Sequence, residues 1–394
     1  MHAETIALVV SLAAIAVGGT GMLWNWRRRR HRGDPLVRRL PPEYFEALSF
    51  LLDEQMDRAL DVFLELADRE TDAVELHFAL GSLFRRKGEI ERATLIHQNL
   101  IARPALSRDQ RELALKELGQ DYLRAGLNDR AERIFTELLD LRAHQDFAAR
   151  SLIAIYEQQQ DWAQAAALRR RLEWITHGSE RAVVAQYYCE MAETARERGD
   201  SDAVAEAIAE ARRNARDVPR VRLLSARAAS EAGRQRAAAR EYRELLATEP
   251  GLAEVILPPY AALFAGGARD PDFENSVRRV LSAGQHAVTP LAVAGLRHPD
   301  LRSPVILEAI EKELTRLIEP LSDREFAPLL ESPDVRAAML RLLTGWVIRR
   351  PLYQCRNCGF QAHELYWHCP GCRRWDTMRL RADVFPEPGL DVQG

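Results

Sequence analysis

Residues 77–97, HFALGSLFRRKGEIERATLIH, and residues 115–135, LKELGQDYLRAGLNDRAERIF, carry one pattern twice. Leu80, Gly81, Phe84, Gly88, Ala93 and His97 of the first stretch fall where Leu118, Gly119, Tyr122, Gly126, Ala131 and Phe135 fall in the second. Apolar residues recur three and four apart on both sides of a glycine turn, the period of two amphipathic helices joined by a short loop. The small residues mark where paired helices press together, so each stretch predicts a helical hairpin.

Such a hairpin, recurring along a chain, is the tetratricopeptide pattern. The small position of the second helix is found at Ala59, Ala93, Ala131, Ala165, Val204 and Ala238. Three of the five intervals are 34 residues and the others are 38 and 39, so insertions lengthen loops or helices between repeats without changing the architecture. Pro250 follows the sixth unit, and a poorer seventh pair is expected over 253–284, broken at Pro258-Pro259 and Gly266-Gly267. Two or three further helices between 289 and 349, including VILEAIEKELTRLIEPL and DVRAAMLRLLTGWVIRR, are expected to cap the last repeat, whose apolar face would otherwise be exposed. The default function of such a stack is binding. Leu80, Gly81, Tyr122, Phe135, Tyr156 and Tyr242 read as packing positions, so they do not identify the binding groove.

The composition fits this picture. Of 394 residues, 47% are hydrophobic, enough for a large core, and the formal net charge of −3 supplies no basic field for nucleic acid. Lysine occurs only at 87, 116 and 312, and arginine carries the rest of the positive charge. Cys189 stands alone in a helical pattern and reads as a buried, unreactive thiol.

At the N-terminus, IALVVSLAAIAVGGTGMLW (6–24) is free of charge, and the uncharged window extends from Thr5 to Trp26. A helix of that length just crosses about 30 Å of hydrocarbon. RRRRHR at 27–32 follows it, with no Lys or Arg in front. A cleaved signal peptide wants its positive charge first, so the order favours a single-pass anchor with the main chain on the cytoplasmic side. The arginines are also suited to anionic lipid headgroups.

At the other end, YQCRNCGFQAHELYWHCPGCRRW (353–375) holds four of the five cysteines. Cys355-x2-Cys358 and Cys369-x2-Cys372, ten residues apart, form two knuckles that can converge on one tetrahedral metal ion. Four thiolates suit zinc or a single iron and leave that choice open. They also complete the coordination shell without His363 or His368. Tyr353, Phe360, Tyr366, Trp367 and Trp375 are expected to form a miniature core around the site, with the metal supplying much of the folding free energy. The short linker from Arg350 to Cys355 suggests that the module docks on the repeats. No α/β context accompanies the Cys-x-x-Cys pairs, and neither G-x-x-x-x-G-K-[ST] nor H-E-x-x-H occurs, so no enzyme is expected.

The order of anchor, tetratricopeptide array and four-cysteine module resembles the lipopolysaccharide assembly protein B family along essentially the whole chain. Cys355, Cys358, Cys369 and Cys372 match that family's metal ligands. The gap between knuckles is shorter than in true rubredoxins, which weakens any inference of electron transfer. The resemblance implies a non-enzymatic inner-membrane regulator of lipopolysaccharide biosynthesis. It would act as an adaptor through which the membrane protease FtsH degrades the deacetylase LpxC, in contact with lipopolysaccharide assembly and regulatory membrane proteins. An assembly scaffold for envelope enzymes and a thiol or iron redox protein are the alternatives. Homo-oligomers are compatible with such repeats, and nucleic acid is not an expected partner.

The expected fold class is all-α: a tetratricopeptide superhelix with an N-terminal transmembrane helix and a small C-terminal rubredoxin-like or zinc-ribbon module. Its expected divisions are an anchor at 1–26, a basic linker at 27–42, repeats at 43–284, a helical cap at 285–350, the metal module at 351–382 and a tail at 383–394.

Overall fold

The computed structural model describes residues 42–53, 55–69, 73–318 and 332–385. The expected membrane helix at 1–26 and nearly all of the basic linker lie outside these residues. No described helix is long and apolar enough to cross a membrane.

The described chain is a succession of helical hairpins. They are α1 (Pro42–Leu52) with α2 (Met56–Arg69), α3 (Val74–Lys87) with α4 (Ile90–Ile101), and α5 (Arg108–Arg124) with α6 (Asn128–Leu138). Next come α7 (Gln145–Gln159) with α8 (Trp162–Thr176), α9 (Arg181–Glu197) with α10 (Ser201–Ala215), and α11 (Pro219–Glu231) with α12 (Gln235–Thr248). A seventh pair, α13 (Ala253–Ala261) with α14 (Pro271–Ser282), is followed by α15 (Val288–Arg297), α16 (Pro304–Ile318) and α17 (Pro333–Arg349). The chain divides into two compact units, with the boundary between Ala148 and Ala149 inside α7.

In the first unit the repeated small residues do what their spacing predicts. Ala59, Ala93 and Ala131 are fully buried at hairpin seams. A Cβ on Gly81 would lie 2.4 Å from the His97 ring, and one on Gly119 would lie 2.7 Å from the Phe135 ring. The two glycines therefore make the same space for the same ring position, one filled by imidazole and the other by phenyl. Because imidazole is polar, the buried His97 needs a partner, and its Nδ1 lies 2.5 Å from Asp121 Oδ2. Arg85 closes this network with a 2.8 Å bond to Asp121 and a further ion pair to Glu117, so α3, α4 and α5 are joined through buried charge.

In the second unit, Ala165 and Ala238 are likewise fully buried, and Val204 is nearly so. Pro258 and Pro259 are not the break they were expected to be. Both sit inside α13, and the helix ends two residues after the pair, at Ala261. Each proline removes an N–H donor to the carbonyl four residues back, so the pair shortens the helix from within instead of preceding its end. One continuous apolar core runs from α11 and α12 through Ile256, Tyr260, Phe273, Leu291 and Ile306 into Tyr353, Cys369 and Phe385. The cysteine segment is thus built onto the helices.

The segment itself is a three-stranded antiparallel sheet of β1 (Tyr353–Cys355), β2 (Gln361–Ala362) and β3 (Met378–Leu380), with β1 in the centre. Tyr353 pairs with Ala362 on one side and Leu380 on the other. The region expected to be a tail from 383 begins as packed structure. Val384 and Phe385 are buried, and the Trp346 indole N–H donates to the Val384 carbonyl at 2.9 Å.

Candidate metal centre

Two knuckles with equivalent backbones bring the four cysteines together. In the first, the Gly359 N–H donates to the Cys355 carbonyl at 3.0 Å; in the second, the Arg373 N–H donates to the Cys369 carbonyl at 2.8 Å. The residue after the second cysteine of each knuckle is left-handed, with φ of 78° at Gly359 and 55° at Arg373. Glycine adopts that conformation freely and arginine pays for it. Within the second knuckle, Gly371 leaves room for the sulfur cluster. A Cβ on it would come within 3.2 Å of Cys358 Sγ.

Cys355, Cys358, Cys369 and Cys372 place their Sγ atoms within 4.8 Å of one another. The pairs Cys355–Cys372 and Cys358–Cys369 are each 3.7 Å apart, too far for a disulfide. A tetrahedral zinc with Zn–S bonds of about 2.3 Å has sulfur–sulfur edges of about 3.8 Å. The donor set and its spacing therefore fit one zinc or iron ion, and no histidine is required. His363 is exposed, and His368 Nε2 contacts the Arg373 carbonyl.

Without a metal, four thiols this close cannot all ionise alike. Burial opposes ionisation of Cys355, but the Thr377 hydroxyl, 3.2 Å from its sulfur, and neighbouring backbone N–H groups outweigh burial and draw the thiol down to about 6. For Cys358 the Phe360 N–H favours the thiolate, yet burial and the adjacent sulfurs prevail and push it up to about 12. A bound metal reverses this division, because coordination removes the proton from every ligand thiol.

The aromatics around the site do not all form a private core. Tyr353 is fully buried, but Phe360 and Tyr366 are exposed. Trp375 packs edge-on against the stacked pair of Trp162, at the start of α8, and Tyr187 of α9, with ring centroids 5.9 and 5.6 Å away. On the module side the His368 ring stacks on Trp375 at 4.3 Å. Further along, Arg220 of α11 lies 5.9 Å from the Trp367 ring centroid, held by Glu190 at 2.6 Å and Glu193 at 3.1 Å. The Tyr353 hydroxyl donates to Glu254 of α13 at 2.5 Å, and burial followed by that carboxylate pushes its ionisation upward. Arg297 of α15 reaches both Glu254, at 2.8 Å, and the His363 carbonyl, at 2.7 Å.

The module therefore touches α8, α9, α11, α13 and α15. The short linker anticipated docking, and the docking residues themselves could not be read from sequence. By contrast, Cys189 of α9 is the inert thiol its surroundings suggested, buried and pushed up to about 12 by desolvation.

Comparison with known proteins places these features in context. Residues 353–379 match the family model described as the rubredoxin metal binding domain. The chain is 30% identical over 395 residues to lipopolysaccharide assembly protein B of Escherichia coli strain K12, covering 98% of this chain and 99% of that protein. It is 26% identical to the protein of the same name from Haemophilus influenzae, covering 95% and 98%. Among solved structures, the C-terminal part of a TPR repeat-containing protein from Cytophaga hutchinsonii is 9% identical with a TM-score of 0.38, covering 68% of this chain and 99% of that one.

Proposed function

The chain belongs to the lipopolysaccharide assembly protein B family, and from that premise we propose that it is a membrane-anchored adaptor that promotes degradation of the deacetylase LpxC by the protease FtsH. It is not an enzyme, and its part in lipopolysaccharide biosynthesis is regulatory. The proposed organisation is a single-pass inner-membrane anchor at 1–26, a basic linker at 27–42, repeats at 43–284, a helical cap at 285–350 and a metal module at 351–382, with the main domains in the cytoplasm. Cys355, Cys358, Cys369 and Cys372 hold one iron or zinc ion in this account.

The observation that carries the proposal is the seating of the metal module across α9, α11, α13 and α15, together with kinship along 98% of the chain. An adaptor works by holding a client where a protease can take it, which raises effective concentration without chemistry of its own. A flexible stack does this poorly, because each repeat contacts only its neighbours and ordering costs accumulate. Here the residues around the cysteines bridge helices of successive repeats, and the metal, once bound, supplies the folding free energy of that bridge. The bridged repeats then present one preorganised surface to a client. Measuring the half-life of LpxC in cells with and without the chain tests the reading. Faster turnover in its presence supports an adaptor, whereas an unchanged half-life would leave an assembly scaffold for envelope enzymes.

A further inference from the structure

Away from the cysteines, α12, α13 and α14 enclose a cleft of about 430 Å³. Arg236 and Arg243, two turns apart on one stripe of α12, line it together with Arg279 of α14. All three are exposed, and among the described residues none of these guanidinium groups has a carboxylate partner. One carboxylate, Asp272, also lines the cleft, so the charge balance remains strongly positive.

Tyr260 forms part of the wall. Its ring packs 5.3 Å from Phe273 and 5.5 Å from Phe264, and the residue is fully buried. Its hydroxyl has no hydrogen-bond partner among the described residues, a costly arrangement unless something else satisfies it.

The equivalent groove one repeat earlier provides a comparison within the same chain. It lies at α10 and α11, has a volume of about 520 Å³, and is lined by Arg196, Arg212 and Arg234. There two carboxylates, Asp200 and Glu231, line the groove beside the three arginines, and the buried hydroxyl, Ser225, already donates to the Val221 carbonyl at 2.7 Å. The later cleft differs in having one lining carboxylate rather than two and an unsatisfied buried hydroxyl.

We propose that the α12–α14 cleft binds the phosphate group of a phosphorylated ligand through Arg236, Arg243 and Arg279. Guanidinium donors match phosphate oxygens in geometry and charge, and three around one site suit a dianion better than a carboxylate. The cleft is the size of a small-molecule site, and its Phe264 edge offers an apolar surface for the group that carries the phosphate. That group is either a soluble phosphate ester or a lipid headgroup. The inference is independent of the adaptor reading.

The test is hydrogen exchange of the full chain in phosphatidylcholine nanodiscs, with inorganic pyrophosphate added in one arm and phosphatidic acid included in the disc in the other. Saturable slowing of exchange in α12–α14 is expected. Slowing with pyrophosphate assigns a soluble phosphate, and slowing with phosphatidic acid alone assigns a headgroup; either supports the site. Arg243→Ala and Arg279→Ala lie on exposed positions and should leave the fold intact while weakening binding about tenfold or more each. Tyr260→Phe keeps the ring packing and should weaken binding less. No slowing with either probe, or equal affinity in all three variants, overturns the proposal.

Discussion

Replacing Trp375 with alanine should loosen the metal module from the repeats while leaving its metal in place. The indole makes two edge-on ring contacts with the helices, to Trp162 at 5.9 Å and to Tyr187 at 5.6 Å. Each such pair contributes about 0.5–1.5 kcal/mol beyond area burial, so Trp375→Ala removes about 1–3 kcal/mol of docking from aromatic geometry alone. The cysteine ligands are untouched, and the contacts of Tyr353, Trp367 and His363 remain, so the module should open at its α8–α9 end without detaching. A double-mutant cycle isolates the interaction: Trp162→Ala, Trp375→Ala and the double variant are unfolded in urea with equimolar zinc bound throughout. A coupling of about 0.5–1.5 kcal/mol is expected between the two tryptophans. Strictly additive effects, within about 0.3 kcal/mol, would refute the claim that this contact fastens the module.

Other outcomes follow from particular contacts. Cys355→Ser or Cys372→Ser should abolish stoichiometric metal binding and unfold the β1–β3 segment while preserving the helical circular dichroism of the repeats; full metal retention would contradict the four-cysteine site. Gly81→Ala should lower the melting temperature, because a Cβ 2.4 Å from the buried His97 ring overpacks the hairpin by about 1–3 kcal/mol and outweighs alanine's better helix propensity. Asp121→Ala should cost more, about 3–5 kcal/mol by chemical denaturation, since it removes the buried carboxylate shared by Arg85 and His97 and leaves Arg85 only its pair with Glu117. Metal affinity measured against a competing chelator should rise from about pH 6 to about pH 8. The Cys358 thiol, held up near 12 in the metal-free module, must release its proton on binding, so lower pH favours the unbound form; an affinity flat with pH would count against thiolate ligation.

The hairpins were legible because helix packing writes itself locally. Gly81 and Gly119 sit one hairpin apart in matching contexts, and a small residue at a seam is needed wherever two helices cross closely. The four cysteines were equally plain, since paired spacing is what a tetrahedral site demands of a short chain. What stayed hidden depends on partners distant in sequence. Nothing around Trp375 distinguishes a ring that packs inward on its own module from one that packs against the stacked Trp162 and Tyr187, more than 180 residues away. Trp367 and Arg220 present the same difficulty. His97 stands at an aromatic position and gives no sign that Asp121 of the following hairpin will satisfy it. Arg373 hides its left-handed backbone because arginine is an improbable choice there, tolerated only because the knuckle is held by its cysteines. Val384 and Phe385, in a Pro-rich and Gly-containing stretch, looked like the start of a loose tail, yet they complete a core begun at α11.

In the proposed function, a metal-fixed module seated on the repeats is what lets the chain act as an adaptor. The most direct measurement is the half-life of LpxC in cells carrying the unaltered chain, the Cys355→Ser/Cys358→Ser variant or Trp375→Ala, at matched levels of each. Rapid turnover is expected with the unaltered chain, strong stabilisation of the deacetylase with the cysteine variant, and an intermediate half-life with Trp375→Ala. Equally rapid turnover in all three would contradict it.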